Sequence, residues 1–176
     1  MREDTVTTKV YSFVELSELA KENAIQELSD INTDYEWWDG EYMDAENVGI
    51  KITEFDIGRG SFCRGSIDDV EETANKIIAE HGDMCETYQT AANYLKDRGE
   101  LVKKYSDGIK TDEAAEDNEY DFDQECDELD AEFEKSILED YRIMLEKQYE
   151  YLCSDEAIIE TIEANEYDFT EDGKLY

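Results

Sequence analysis

The chain has 176 residues, of which 50 are acidic and 16 basic, for a formal net charge of -34, and it contains no proline. A field of that sign repels DNA, RNA and anionic membranes, which excludes direct nucleic-acid binding as a main function and steers the chain towards cationic surfaces. Apolar residues still make up 40% of the chain and aromatics 11%, too much for a disordered acidic tail, so one folded domain spanning residues 1–176 is expected.

In chain order, Thr5 to Phe13 is rich in β-branched and aromatic residues and predicts a first strand. Ser17 is placed to N-cap a helix whose buried stripe is Leu16, Leu19, Ala20, Ala24, Leu28 and Ile31. After a break at Asn32 to Asp34, a second helix is expected from about Tyr35 to Val48, stopped by Gly49. Here Trp37, Trp38, Tyr42 and Met43 are interleaved with Asp34, Glu36, Asp39, Glu41, Asp44 and Glu46. Helical spacing turns Trp38, Tyr42 and Ala45 to the core and leaves Trp37 for the surface.

Ile50 to Ile57 and residues 61–67 predict a β-hairpin turning through Gly58 to Gly60. This turn is not a phosphate loop, because no Walker lysine follows and its glycines join two strands. Arg59 and Arg64 are expected to balance neighbouring carboxylates. Asp68 should cap a helix running through Ile77 and Ile78 to Gly82, and Asp83 should begin another through Met84, Tyr88, Ala91, Ala92, Leu95 and Val102, with Gly99 as a point of kinking or division. Lys96, Arg98, Lys103, Lys104 and Lys110 gather just ahead of an acidic run, which predicts a local charge clamp.

That run, Thr111 to Glu134, holds thirteen Asp and Glu residues and no Lys or Arg. From Phe122 the positions Cys126, Leu129, Phe133, Ile137, Tyr141, Met144, Gln148 and Leu152 follow in steps of three or four and trace one face of a long helix. Asp121, Asp123, Glu125, Asp127, Glu128, Asp130, Glu132 and Glu134 cannot follow that stripe inward, so most should project to solvent. Eight carboxylates over fourteen residues, at ~1.5 Å rise, give one charge per ~2.6 Å, between the ~1.7 Å of duplex DNA and the ~3.4 Å of one strand. Ser154 then caps a short helix, and YDFTEDGKLY closes as a hairpin around Gly173. The expected fold is α+β and mainly helical: a small antiparallel sheet made by the N-terminal strand, the central hairpin and the C-terminal hairpin, with packed helices and one long acidic helix.

Little here points to catalysis, and no enzyme is expected. Cys63, Cys85, Cys126 and Cys153 are 22, 41 and 27 positions apart with no CxxC pair, so reduced thiols are expected and neither a metal nor another cofactor. His81 lacks the setting of a nucleophile's base, and the DxDxDG spacing of a calcium loop is absent. No stretch approaches eighteen consecutive apolar residues and MREDTVTTKVYSF has no apolar h-region, so neither a membrane span nor a signal peptide is expected, and the chain is placed in the cytoplasm.

The series VYSFVELSELAKENAIQEL, DYEWWDGEYMDAENVGIKITEFDIGRGSFCRG and AEHGDMCETYQTA resembles a group of small acidic phage and prophage proteins over roughly the first hundred residues. The WWD, IKITEFDI and HGDMCETY elements carry that resemblance. It implies a phage gene expressed in a host bacterium's cytoplasm, and supplies no catalytic motif. In charge and size the chain is also similar to phage DNA mimics that block restriction enzymes and CRISPR nucleases, an analogy of class without a shared motif. The expected partner is therefore a basic nucleic-acid-binding protein, a defence nuclease or its complex, met by the eight carboxylates of residues 121–134 and by Asp34, Glu36, Trp37, Trp38, Asp39 and Glu41. Tyr35 and Tyr120 would add anchoring contacts. The alternative is an antitoxin-like or phage regulatory protein that binds one host protein through Trp37 and Trp38 without mimicry; a third reading, a phage structural protein, would predict stable self-assembly into homo-oligomers.

Overall fold

The computed structural model describes residue 7, residues 9–106 and residues 112–176, with side chains described from residue 120 onward in the last stretch. In chain order the elements are β1 (Tyr11–Ser12), a 3-10 turn (Phe13–Glu15), α1 (Glu18–Glu27), α2 (Asp39–Val48), β2 (Ile50–Asp56) and β3 (Phe62–Ile67). They continue with α3 (Val70–Glu80), α4 (Glu86–Ser106), α5 (Asp112–Leu152), α6 (Asp155–Ala164) and β4 (Asp168–Phe169). The fold is α+β and mainly helical. It forms two compact units, Met1–Trp37 with Lys147–Tyr176, and Trp38–Glu146.

In the first unit β1 pairs antiparallel with β4, Tyr11 opposite Phe169 and Ser12 opposite Asp168. The strand stops there because Ser12 begins a capping box, its backbone N–H and hydroxyl both donating to Glu15 Oε2 at 2.9 and 2.8 Å. Of the longer strand expected from Thr5, residues Thr5, Val6 and Thr8 lie outside the described residues. Ser17 caps α1 as expected, accepting from the Ala20 N–H, and Ser154 caps α6 by accepting from that of Ala157.

Phe13, Leu16, Ala20 and Ala24 pack with Ile158, Ile162 and Phe169 into one core. Leu19 does not join them and is 69% exposed, because steps of four (16, 20, 24, 28) define the buried line and position 19 lies about 100° off it. The buried Asn32 ties the turn after α1 to the chain end: its amide donates to the Leu152 carbonyl at 3.1 Å and its Oδ1 accepts from Thr161 at 2.7 Å.

In the second unit β2 and β3 form the expected hairpin, Ile50 opposite Ile67 and Asp56 opposite Phe62. The single sheet expected from the sequence is thus two two-stranded sheets, since the C-terminal strand pairs with β1 and the hairpin keeps its own edges. Alternating burial places Ile50 and Ile52 against Ala45, Val48 and Ile77. Gly65 lets β3 lie close: a Cβ there would meet the Lys51 carbonyl at 2.6 Å and Leu138 Cδ2 at 3.0 Å. Gly49 ends α2 in the left-handed region, φ 97°, the stop read from sequence.

Three boundaries shift. α2 begins at Asp39 and not near Tyr35, because Trp37 N–H already closes a tight turn onto the Tyr35 carbonyl. Asp69, not Asp68, caps α3, its Oδ1 accepting from the Glu72 N–H at 2.8 Å. α4 begins at Glu86 and not at Asp83, after a turn closed by Cys85 N–H on the Gly82 carbonyl, which leaves Met84 90% exposed. α4 runs unbroken through Gly99.

The α5 stripe is largely as read: Cys126, Phe133, Ile137 and Tyr141 are buried. Beyond Tyr141 the line passes to Leu145 at 0% exposure, and Met144, expected inside, is 36% exposed. A step of four keeps the line on the core where a step of three would turn it out.

Gly173, at φ 86°, has no room for a side chain, since a Cβ would overlap the Ala20 carbonyl. Gly173→Ala should therefore destabilise the fold by about 1–3 kcal/mol, read as a lower urea midpoint at unchanged slope.

Candidate partner-binding surface

At 100° per residue the eight carboxylates of residues 121–134 fall into two rows along α5. Asp121, Glu125, Glu128 and Glu132 make one; Asp123, Asp127, Asp130 and Glu134 make the other. Asp121, Asp123, Asp127, Glu128 and Glu132 are exposed, and Glu125, Asp130 and Glu134 are half-buried. Thr111 and the side chains of 112–119, the first half of the acidic run, lie outside the described residues.

One member of each row is taken up by α4. Asp130 Oδ1 accepts from the Tyr94 hydroxyl at 2.7 Å and from Arg98 Nη1 at 3.0 Å, and Arg98 Nε reaches Glu71 of α3 at 3.5 Å. Glu125 receives both oxygens' worth of donation from Lys104 Nζ, at 2.7 and 2.8 Å, and a third bond from the Tyr105 hydroxyl at 2.8 Å. These bonds hold the Glu125 carboxyl below its usual range, with Lys104 the larger cause. The expected charge clamp exists at these two pairs; Lys96 instead pairs with Glu100 along its own helix, and Lys110 lies outside the described residues. Glu125 and Asp130 therefore correct the expectation of projecting carboxylates, because their neighbours on α4 reach them at the edge of the core.

Six carboxylates remain: Asp121, Glu128 and Glu132 in one row, Asp123, Asp127 and Glu134 in the other. Among the described residues no Lys, Arg or His forms an ion pair with any of them, and Glu128 accepts only the Gln124 amide at 3.1 Å. Six charges over fourteen residues at ~1.5 Å rise give one per ~3.5 Å, close to the ~3.4 Å of a single nucleic-acid strand.

Asp97 and Glu100 of α4, which the sequence reading missed, extend this field. With Lys104, Glu125, Glu128 and Glu132 they line a groove of about 760 Å³ floored by Leu101 and Leu129. The signal was present in the spacing, since Asp97, Glu100, Leu101 and Lys104 share one face of a helix. Tyr120 is 72% exposed at the head of the rows.

The second predicted cluster is divided between the two units. In the first, Asp34, Tyr35 and Glu36 are exposed, while Trp37, expected at the surface, is half-buried with its ring 5.5 Å from that of Tyr149. In the second, Asp39 is exposed and Trp38 is half-buried, 5.6 Å from the Phe55 ring. Glu41 is half-buried, and that burial pushes its carboxyl upward, with a smaller push from Asp44. Among the described residues no three His, Cys, Asp or Glu side chains gather to hold a metal ion, and no helix is long and apolar enough to cross a membrane.

Because Asp130 is bonded and Asp127 only repelled, the two should part on neutralisation. Asp130→Asn is expected to cost about 1–3 kcal/mol in urea unfolding, whereas Asp127→Asn should leave stability unchanged or slightly raised. The tyrosines give a pH signature. Burial and a carboxylate partner push the hydroxyls of Tyr94 and Tyr141 well above the ordinary 10.0, so the folded state keeps protons that unfolded tyrosine gives up. That stability is whole below about pH 10 and should fall above it, by up to about 1.4 kcal/mol per pH unit for each of the two, as seen in alkaline unfolding of the wild type against Tyr94→Phe. Compared with known proteins, the chain matches no family model, no curated protein and no solved structure.

Proposed function

We propose that the protein is a stoichiometric inhibitor that acts by nucleic-acid mimicry, laying the carboxylate rows of α5 into the basic DNA- or RNA-binding channel of a bacterial defence nuclease of CRISPR or restriction type. The observation that carries this reading is the set of six carboxylates that form no ion pair among the described residues, on one continuous helix at the charge spacing of a polynucleotide strand. In this reading it is a phage-encoded binding protein, not an enzyme, and works in the host cytoplasm without a cofactor.

The mechanism follows from electrostatics. A net charge of -34 raises the rate of encounter with a cationic channel, and each carboxylate then meets a Lys or Arg that would hold a phosphate. The helix is formed before binding, so little ordering cost opposes association. Tyr120 offers an aromatic face where a base would stack. Binding through Trp37 and Trp38 draws less support, because each ring already packs inside its own unit.

The test is displacement. Titrated into mixtures of labelled DNA with representative CRISPR and restriction nucleases, the protein should release DNA from its target, less effectively as salt rises. Joint reversal of Asp121, Asp123, Asp127, Glu128 and Glu132 to Lys spares the Glu125 and Asp130 bonds and should weaken inhibition at least about a hundredfold. A folded quintuple variant that inhibits normally, or a target that holds DNA and this protein together, would overturn the reading.

A further inference from the structure

We propose that the groove between α4 and α5 is the docking site for one helix of the partner, a cationic amphipathic helix whose apolar stripe seats on Leu101 and Leu129. The inference rests on the reading that a basic partner meets the α5 carboxylates, and adds which of its elements is gripped and by what. The groove of about 760 Å³ is continued by a smaller one of about 220 Å³ that shares Asp97, Leu129 and Glu132 with it. This continuation reaches the stacked rings of Tyr94 and Phe133. From Tyr94 to Lys104 the joint trough follows α4 for about 15 Å at ~1.5 Å per residue. That is room for about three turns of a third helix laid between two.

Floor and walls differ in kind. Leu101 and Leu129 are half-buried along the floor, apolar area that a helix can cover. Asp97 and Glu100 stand on the α4 wall, Glu128 and Glu132 on the α5 wall. Among the described residues Asp97, Glu128 and Glu132 form no ion pair, and Glu100 meets Lys96 only at 3.8 Å. Lys104, the single cation of the lining, is held by Glu125 at 2.7 Å. Anionic walls on both sides of an apolar floor select the occupant. Its leucine-like residues cover the floor, while Lys and Arg stems lie along the apolar flanks and their heads reach the carboxylates. Both walls repel a nucleic-acid strand or an anionic membrane, and a second copy of this chain would bring a further charge of -34. The partner helix therefore carries apolar residues at i, i+3 or i+4, and i+7, with Lys or Arg to either side.

Charge mimicry alone makes no use of Leu101, so the groove and the mimicry can be tested apart. A crosslinked helical peptide of about 14 residues, with leucines on one stripe and Lys and Arg elsewhere, is titrated into the isotope-labelled protein beside a control of equal composition whose stripe is scrambled. By NMR the striped peptide should bind at least about tenfold tighter and move the amides of Glu100, Leu101, Leu129 and Glu132. Leu101→Gln should remove that advantage and Leu101→Met should keep it. Equal binding of the two peptides, or shifts confined to Asp123, Asp127 and Glu134, overturns the groove in the wild type alone, whether or not Leu101→Gln folds. In DNA displacement, Leu101→Gln should weaken inhibition about tenfold with its salt dependence unchanged. A folded Leu101→Gln that inhibits normally overturns the groove and leaves mimicry standing, whereas a striped peptide seated on Leu101 and Leu129 of a protein that displaces no DNA supports the groove and overturns mimicry.

Discussion

Everything in this structure answers to one constraint: a chain with 50 acidic and 16 basic residues must bring carboxylates to the edge of a core with few cations to meet them. Tyrosine hydroxyls fill the gap. Tyr94 donates to Asp130, Tyr105 to Glu125, Tyr141 to Asp44 and Tyr151 to Glu160. A phenol satisfies a carboxylate's lone pairs without neutralising it, and its ring supplies apolar area for the same core. Tyr141 is fully buried yet bonded, and Tyr94 stacks on Phe133 at 4.6 Å while its hydroxyl holds Asp130. Lysines in those places would have satisfied the same oxygens at the expense of the field.

Two arginines with little-exposed side chains, Arg98 and Arg142, each hold two carboxylates. Arg98, 24% exposed in its side chain, bridges Asp130 of α5 and Glu71 of α3. Arg142 is held between Glu139 and Glu146 on its own helix and also reaches Ser61 at the start of β3. Among the described residues, no cation pairs with Asp121, Asp123, Asp127, Glu128, Glu132 or Glu134 of α5, so their field is kept.

The local signals in the sequence were legible. Ser17 and Ser154 as caps, Gly49 as a stop and the Gly58–Gly60 turn each depend on a few neighbouring residues, and the structure has them all. What failed depended on partners far along the chain. Whether the last strand joins the hairpin or β1 is a matter of pairing, which period and propensity do not encode. The choice of Asp69 over Asp68 rests on one backbone rotation. At the candidate surface, periodicity turned most of the eight carboxylates off the buried stripe, and the cluster of Lys and Arg before them announced a clamp. It could not say that Glu125 and Asp130 are the carboxylates taken, because Tyr94, Arg98, Lys104 and Tyr105 stand 20 to 36 residues earlier and their reach depends on how α4 lies beside α5.

Held alone, the acidic half of α5 would resist being a helix. Like charges at positions i and i+4, such as Asp121 with Glu125, Asp123 with Asp127 and Glu128 with Glu132, each oppose it by about 0.2–0.5 kcal/mol, and no cation within residues 111–134 offsets them. Burial does: fully burying a side chain the size of Phe133 or Ile137 contributes about 1.5–3 kcal/mol, several times the repulsion of a single pair. Neutralising the outer rows would relieve that strain and remove the field, and widening the apolar stripe would strengthen the helix only by displacing carboxylates. Helical period separates the two demands around one element, the apolar stripe on one line and a carboxylate row about 100° to either side of it.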